Sequence, residues 1–190
     1  MIRSVVSVLL WLIATIAMTI GIGASWAAVN VQSESGFVKL ASQMGTDREV
    51  QVSAADLTGQ AFVEQVDVPV IFRAQVSRLI SNTMIRFTDS DGWEDAWAES
   101  VRRTHRGLFA GPTPTEVEFD FAPLVALALD EMTSNLPIRL AAPEELPVVV
   151  SKEDPSRLVS GVAQSSTVAV VALGVAAIAA GLALAITRRR

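Results

Sequence analysis

The chain has 190 residues, of which 20 are acidic and 15 basic, giving a net charge of −5, and it contains no cysteine. The lack of cysteine excludes disulfides, thiol catalysis and thiolate metal sites, and the acidic balance disfavours binding to nucleic acid. Hydrophobic residues make up 51% of the chain, more than a soluble domain needs, and the excess is concentrated at the two ends.

The N-terminal apolar run predicts a transmembrane helix. Residues 4–28 carry no charged side chain, and at about 1.5 Å per residue such a helix crosses a hydrocarbon core of about 30 Å. A cleaved signal peptide is the alternative, because the small residues Ser25 and Ala27 precede a possible cleavage point. The run is longer than the apolar core of a signal peptide, so we expect a retained membrane helix.

The C-terminal apolar run predicts a second transmembrane helix, which is also free of charge. Arg3 precedes the first run and Arg188–Arg190 follow the second, and the positive-inside rule therefore places both termini in the cytoplasm. All 20 acidic residues lie between the runs, in a segment that is then extracytoplasmic. The expected layout is a cytoplasmic tip at 1–3, helices at 4–28 and 166–187, an extracytoplasmic domain at 29–165 and a second tip at 188–190.

Small residues recur along both apolar runs. They let helix backbones approach closely in lipid, so we expect the two helices to pack on each other as an antiparallel pair. The alternative is that alanine and glycine are simply common in membrane helices. Trp11 lies in the acyl region, where it faces lipid or a neighbouring protein. The predicted packing residues are Ser7, Ala14, Gly21 and Ala28 in the first helix and Gly174, Ala177, Gly181 and Ala185 in the second.

Between the two runs, the spacing of apolar residues predicts a mainly α-helical domain. Apolar side chains recur every three or four residues from Phe37 to Met44, and again in two longer segments that end at Val66 and Phe87. Thr46 or Asp47 is a suitable N-cap, and Pro69 suits the first position of a helix.

The chain after Gly111 changes character and predicts a small β-sheet. Residues 116–121 alternate between polar and apolar, which is typical of a strand, and 122–135 have helical spacing. Short strands over 138–140 and 148–150 are expected to pair with the first strand. A last helix beginning near Asp154 and Pro155 is expected to continue into the second membrane helix.

The acidic stretch DSDGWEDAW at 89–97 has three interpretations: a calcium loop, part of a catalytic carboxylate pair, or the start of a helix. With Gly92 at the sixth position of a calcium loop, Phe87 and Ala98 fall where the first and last ligands are required, so the loop fails. Asp91 and Glu94 have the spacing of a helix-capping pair. We therefore expect a capped core helix that carries Trp93 and Trp97 on its apolar face.

His105 is the single histidine of the chain and cannot form a multi-histidine metal site. No phosphate-binding loop, nucleophile motif or metal motif is present in the sequence, so the sequence predicts neither an enzyme nor a cofactor. A structural role is expected for His105, but it and the tryptophans are also candidates for contact with another protein. The candidate interaction surface consists of Trp11, Trp93, Trp97 and His105.

Nearly the whole chain resembles a family of actinobacterial two-span membrane proteins. The resemblance is carried by VNVQSESGFVKLASQM, DGWEDAWAESVRRTHRGLF, VEFDFAPLVALALDEM and SKEDPSRLV. It extends to the small accessory subunit of the actinobacterial respiratory supercomplex, in which a cytochrome bc complex and an aa-type oxidase of the electron transport chain associate. The matching positions are Trp97, Arg103, His105, Phe119, Asp120, Pro123 and Leu124.

We expect a non-catalytic accessory or scaffolding subunit, because most of the chain lies in the outer segment and no cofactor motif is present. The resemblance implies a partner, and the expected partners are integral membrane subunits and the lipid bilayer. The alternative is an extracytoplasmic sensor or ligand-binding membrane protein of the cell envelope that acts through a partner. The short cytoplasmic tips weaken that alternative, because they leave no room for an output domain.

Overall fold

The computed structural model describes residues 2–66, 68–112, 114–134 and 141–188. The described residues are mainly helical, with one two-stranded sheet, as the sequence predicts. They form two compact units, one made of Met1–Ser33 with Arg157–Arg190 and the other of Glu34–Ser156. The elements are α1 (Ile2–Ala27), a π-helical turn (Ala28–Gln32), α2 (Glu34–Gly45), α3 (Arg48–Gln65), α4 (Val70–Phe87), α5 (Asp91–Phe109), β1 (Val117–Asp120), α6 (Ala122–Thr133), β2 (Pro147–Ser151), α7 (Ser156–Ala163) and α8 (Ser165–Arg188).

The first unit, which we call the helix-pair unit, contains the two long apolar helices α1 and α8 packed on each other. The segments Ser4–Gln32 and Ser165–Thr187 are both long and apolar enough to cross a membrane. Each agrees with its predicted span to within a few residues. The first extends further than predicted because helical structure continues through the π-helical turn.

The contact side of α1 consists of small residues at seven-residue intervals. Ser7, Ala14 and Gly21 are buried, and Ala28 is half-buried. At Gly21 a Cβ atom would lie 2.7 Å from Cδ2 of Leu173, so the absence of a side chain is what permits this approach. The seven-residue repeat of α1 therefore faces the second helix, which is the geometry of a slightly supercoiled pair.

The prediction for the second helix is wrong, because the predicted stripe faces outward. Ala177 and Ala185 are exposed, and no atom lies within 4 Å of a Cβ built on Gly174 or Gly181. Small residues recur every seven positions on more than one side of this helix. At 100° per residue, the side that packs on α1 lies about 200° around the helix axis from the predicted side. The buried stripe of α8 is Ala169, Ala176, Ala179 and Ala183.

Side-chain amides and hydroxyls join the helix-pair unit where α7 meets α8. The Nε2 atom of Gln32 donates to the carbonyl of Ala163 at 3.0 Å, and Ser165 Oγ donates to Gln32 Oε1 at 3.2 Å. A turn at Gln164 separates the two helices. The predicted continuous helix is therefore interrupted at this one residue.

The second unit, Glu34–Ser156, which we call the domain, has a hydrophobic core drawn from α3, α4, α5 and α6. Gly59 allows α3 and α4 to cross closely, since a Cβ there would lie 2.5 Å from the carbonyl oxygen of Ser77. The predicted apolar faces supply buried side chains, but Phe72 and Leu79, which lie on the face predicted for α4, are exposed. Large fully buried members of this core are Ile80, Met84, Trp93, Val101, Leu124, Val125 and Leu146.

Two helix starts show how the local sequence sets the ends of the elements. Asp47 Oδ1 accepts hydrogen bonds from the backbone amides of Glu49 and Val50, so the predicted N-cap of α3 is confirmed. At α5 the N-cap position is Ser90, one residue earlier than predicted, and its side chain makes no capping hydrogen bond. The side chain of Asp91, on which the predicted capping pair depends, lies outside the described part of the structure.

The sheet consists of β1 and β2, which pair antiparallel. Phe119 is opposite Val148, and the register shifts between Val117 and Glu118. The predicted pairing of 116–121 with 148–150 is thus confirmed. The predicted strand at 138–140 lies outside the described residues.

Candidate functional site

Arg103 on α5 is the centre of a polar network in the domain. Its Nη1 atom donates to the carbonyl oxygen of Glu144 at 2.7 Å and lies 3.4 Å from Oδ2 of Asp120. Its Nε atom donates to Oε1 of Glu99 at 3.2 Å. One guanidinium thus links α5 to the end of β1 and to the segment before β2.

Asp120 holds three parts of the chain together at this point. Its Oδ1 atom accepts from the amides of Ala122 at 3.0 Å and Leu146 at 2.9 Å, and its own amide donates to Thr104 Oγ1 at 3.1 Å. The side chain is 13% exposed. A partly buried carboxylate that accepts from two backbone amides and an arginine fixes the start of α6 beside the sheet.

The carboxylate of Glu99 lies among three guanidinium groups of α5. Besides Arg103 it pairs with Arg102 and, at 3.3 Å, with Arg106. Partial burial raises the pKa of Glu99, but the hydrogen bonds from Arg103 and Arg102 outweigh this effect and hold its pKa below the ordinary value. Burial lowers the pKa of Arg103, but its bonds to Glu99 and Asp120 leave that pKa raised.

The network forms one wall of an open groove of about 820 Å³ within the domain. We call it the acidic groove, because carboxylates outnumber the two guanidinium groups, Arg103 and Arg106, that line it. Among the described residues, no three histidine, aspartate or glutamate side chains are grouped so that they could hold a metal ion. The groove contains two carboxylates, those of Glu99 and Asp120, that pair with Arg103. Its acidic residues are Glu99, Glu116, Glu118, Asp120, Glu144 and Glu145.

The aromatic residues predicted as an interaction surface are mostly in the core, and that prediction is wrong for three of the four. Trp93 and Trp97 are 2% and 6% exposed, and their rings stack with centroids 6.0 Å apart. Their Nε1 atoms donate to the carbonyl oxygens of Gly45 and Ala41, at 2.9 and 3.0 Å. They join α5 to α2 because a tryptophan buries a large apolar ring while its one donor finds a backbone acceptor.

His105 is also buried, and its ring lies between two phenylalanines of the domain. The ring centroids are 5.2 Å from Phe37 and 4.7 Å from Phe109. Trp11 of α1, by contrast, is 47% exposed. Of the four predicted residues, the structure leaves only Trp11 accessible to lipid or another protein.

The polar network was missed as a unit, although two of its residues belong to the positions that carry the family resemblance. Glu99 and Arg103 are four apart on a helix, which predicts a local ion pair. Arg103 and Asp120 are 17 positions apart. No local spacing predicts that contact, because it depends on how β1 packs against α5.

Comparison with protein-family models, with curated proteins and with solved structures finds no match to this chain.

Proposed function

We propose that this protein is a non-catalytic accessory subunit that packs against larger integral membrane subunits. The observation that carries the proposal is the outward stripe of small residues on α8. A Cβ atom added to Gly174 or to Gly181 would have no neighbour within 4 Å, although both glycines lie in a helix apolar enough for lipid. Small residues at an exposed helix surface permit close approach by another helix.

The helix pair does not need the outward stripe for its own packing. Contacts with α1 use the buried alanines Ala169, Ala176 and Ala183 on another side of α8. A helix that only had to close the pair gains nothing from glycine at the lipid-facing positions, where glycine weakens helix formation. The second stripe is therefore suited to a helix from another subunit.

The proposed topology places both termini in the cytoplasm and the domain outside. Arg3 and Arg188–Arg190 flank the two candidate spans, and this distribution of basic residues supports cytoplasmic termini. The acidic domain then lies on the outer face, which suits a subunit that supports its neighbours there.

The resemblance to actinobacterial two-span proteins suggests which assembly to test first. It points to the respiratory supercomplex of the cytochrome bc complex and the aa-type oxidase. In that proposal the protein belongs to the electron transport chain as a structural component.

An extracytoplasmic sensor or ligand-binding protein is the second candidate. The acidic groove favours it, because a concave surface of about 820 Å³ lined by carboxylates can accept a cationic ligand. In this second proposal the protein acts through a partner subunit. Ligand-dependent recovery of a partner would favour this candidate over a constitutive subunit.

Affinity purification tests the proposal. The tagged chain, expressed at its native level, is isolated in mild detergent, and the proteins that accompany it are identified by mass spectrometry. We expect larger integral membrane subunits with the natural sequence and a clear loss of them with Gly174→Leu plus Gly181→Leu. Gly23→Leu is the matched control, since a Cβ on this glycine of α1 would also have no neighbour within 4 Å. Recovery of the chain alone would overturn the proposal.

A further inference from the structure

Large apolar side chains are exposed where α3 ends and α4 begins. Val66, Val70, Ile71 and Phe72 are 49%, 77%, 74% and 53% exposed, and we call these four residues the apolar tip. All four lie within positions 66–72 of the chain. Clustered exposed apolar side chains are typical of a site that contacts a membrane or another protein.

Hydrogen bonds hold the apolar tip in its conformation. Pro69 occupies the N-cap position of α4, and its carbonyl accepts from the amide of Phe72 at 2.8 Å. The Nε atom of Arg73 donates to the carbonyl of Val68, also at 2.8 Å. The tip is therefore an ordered part of the helical hairpin, and its exposure follows from the fold.

The core of the domain is complete without the tip. Deeper turns of the same two helices supply Phe62, Val63, Ile80 and Met84, which are all buried. Nothing in the described packing of the domain requires three consecutive large apolar residues at the start of α4. Their apolar character is explained by contact with something outside the domain.

A lipid bilayer is the expected contact, because the same chain contains two candidate membrane spans. The first candidate span ends at Gln32, and the domain begins at Glu34. A single residue, Ser33, joins the two, so the span tethers the domain to any bilayer that it crosses, and the effective concentration of lipid is high.

We propose that the apolar tip inserts into the interfacial layer of the bilayer that holds the two candidate spans. Shallow insertion suits the charges nearby. Exposed Arg78 is seven residues after Ile71, a rise of about 10 Å along α4, which suits contact with lipid phosphates. Exposed Glu64 near the end of α3, and Asp67, which the sequence places between Val66 and Val70, have to remain in the headgroup layer and limit the depth.

The cysteine-free chain allows the proposal to be tested by a single label. The full-length variant Ile71→Cys is labelled with the environment-sensitive probe NBD and reconstituted into phosphatidylcholine and phosphatidylglycerol vesicles. We expect emission at shorter wavelength than in water and quenching by lipids that carry a doxyl group near the headgroup. Val150→Cys is the matched control, because this residue is apolar and 48% exposed but lies on β2. We expect its probe to emit as in water and to resist the lipid quencher.

Each other outcome overturns the proposal in a distinct way. Water-like emission from the Ile71→Cys probe shows that the tip stays in solvent. A shift to shorter wavelength without quenching by lipid shows that a protein surface covers the tip. Equal quenching at Val150→Cys shows that lipid contact is not specific to the tip. A chain that does not float with the vesicles overturns both this inference and the proposed membrane function, whereas a floating chain with a solvent-exposed tip leaves the latter intact.

Discussion

The indole of Trp97 lies directly against the backbone of Gly45. A Cβ atom at position 45 would be 2.6 Å from Cδ1 of the tryptophan ring. The carbonyl of the same glycine accepts the hydrogen bond from Trp93. The end of α2 is thus fixed to α5 by one residue that has no side chain and presents its carbonyl to an indole.

Gly45→Ala should destabilise the domain, because the added methyl group has to displace a buried ring. Overpacking of this kind costs about 1–3 kcal/mol. Thermal unfolding of the detergent-solubilised protein, followed by circular dichroism, measures the effect. Gly107→Ala on α5 is the control, since a Cβ there would meet nothing within 4 Å and alanine favours the helix by up to about 1 kcal/mol. Equal stability of the two variants would show that Gly45 is not tightly packed.

Asp120→Ala should cost more than Asp120→Asn. The asparagine keeps an oxygen for the amides of Ala122 and Leu146 and loses only the ionic contact with Arg103, for about 1 kcal/mol. The alanine leaves both amides without an acceptor and should cost about 2 kcal/mol or more. Denaturant titration compares the two variants. If Asp120→Asn lowered the stability as much as Asp120→Ala, the ion pair would matter more than the hydrogen bonds from the backbone amides.

Glu99 should make stability depend on pH in the acidic range. Its pKa in the folded state lies below the ordinary value of 4.5. Its contribution is therefore fully present above the unfolded-state pKa and is lost as pH falls through the lower folded-state pKa. We expect Glu99→Gln to cost about 1 kcal/mol or less near pH 7, since the pairs are partly exposed, and to equal the natural sequence at strongly acid pH.

Unfolding midpoints across the pH range give this difference, with Glu153→Gln as an exposed control outside the network. A difference between Glu99→Gln and the natural sequence that stays constant from neutral to acid pH would contradict the assignment of the ion pairs.

Ser100→Ala should stabilise the protein slightly. The Oγ atom of Ser100 is buried and has no hydrogen-bond partner among the residues the structure describes. Removing an unsatisfied buried hydroxyl is neutral or favourable, by up to about 1 kcal/mol. Thr104→Val is the informative contrast, because it removes a hydroxyl that accepts from the amide of Asp120 and should destabilise. A destabilised Ser100→Ala would indicate a partner for that hydroxyl.

Gly21→Leu should open the helix pair, whereas Gly23→Leu should not. At Gly21 even a Cβ would clash with Leu173, whose backbone nitrogen lies 3.3 Å away, while at Gly23 nothing lies within 4 Å. Resistance to unfolding by added SDS in mixed micelles compares the variants. Packing defects of this size cost about 1–3 kcal/mol. Similar SDS sensitivity of the two variants would place α1 and α8 in a different register.

The fold follows from the sequence where local chemistry decides it. Asp47 has the side chain of an N-cap, the alternation around Phe119 is typical of a strand, and Pro69 precedes a helix. The side of α8 that contacts α1 could not be predicted, because small residues repeat both on the side that carries Gly174 and on the side that carries Ala176. Only the matching surface of α1 selects between them.

The candidate site was predicted far less well. The apolar face containing Trp97 correctly indicated burial, which already argued against an exposed interaction surface there. The contact between Arg103 and Asp120 is tertiary, and so is the exposure of Ile71. An isoleucine at the start of an amphipathic helix is expected in a core, and only the assembled domain shows that its core is complete without it.

Because α8 carries its buried alanines and its outward glycines on different sides, closing the pair does not consume the surface offered to a third helix. In the proposed assembly, such a chain would finish folding before it meets another subunit. Its recruitment would then be a reversible second stage, and its departure would return an intact, reusable molecule.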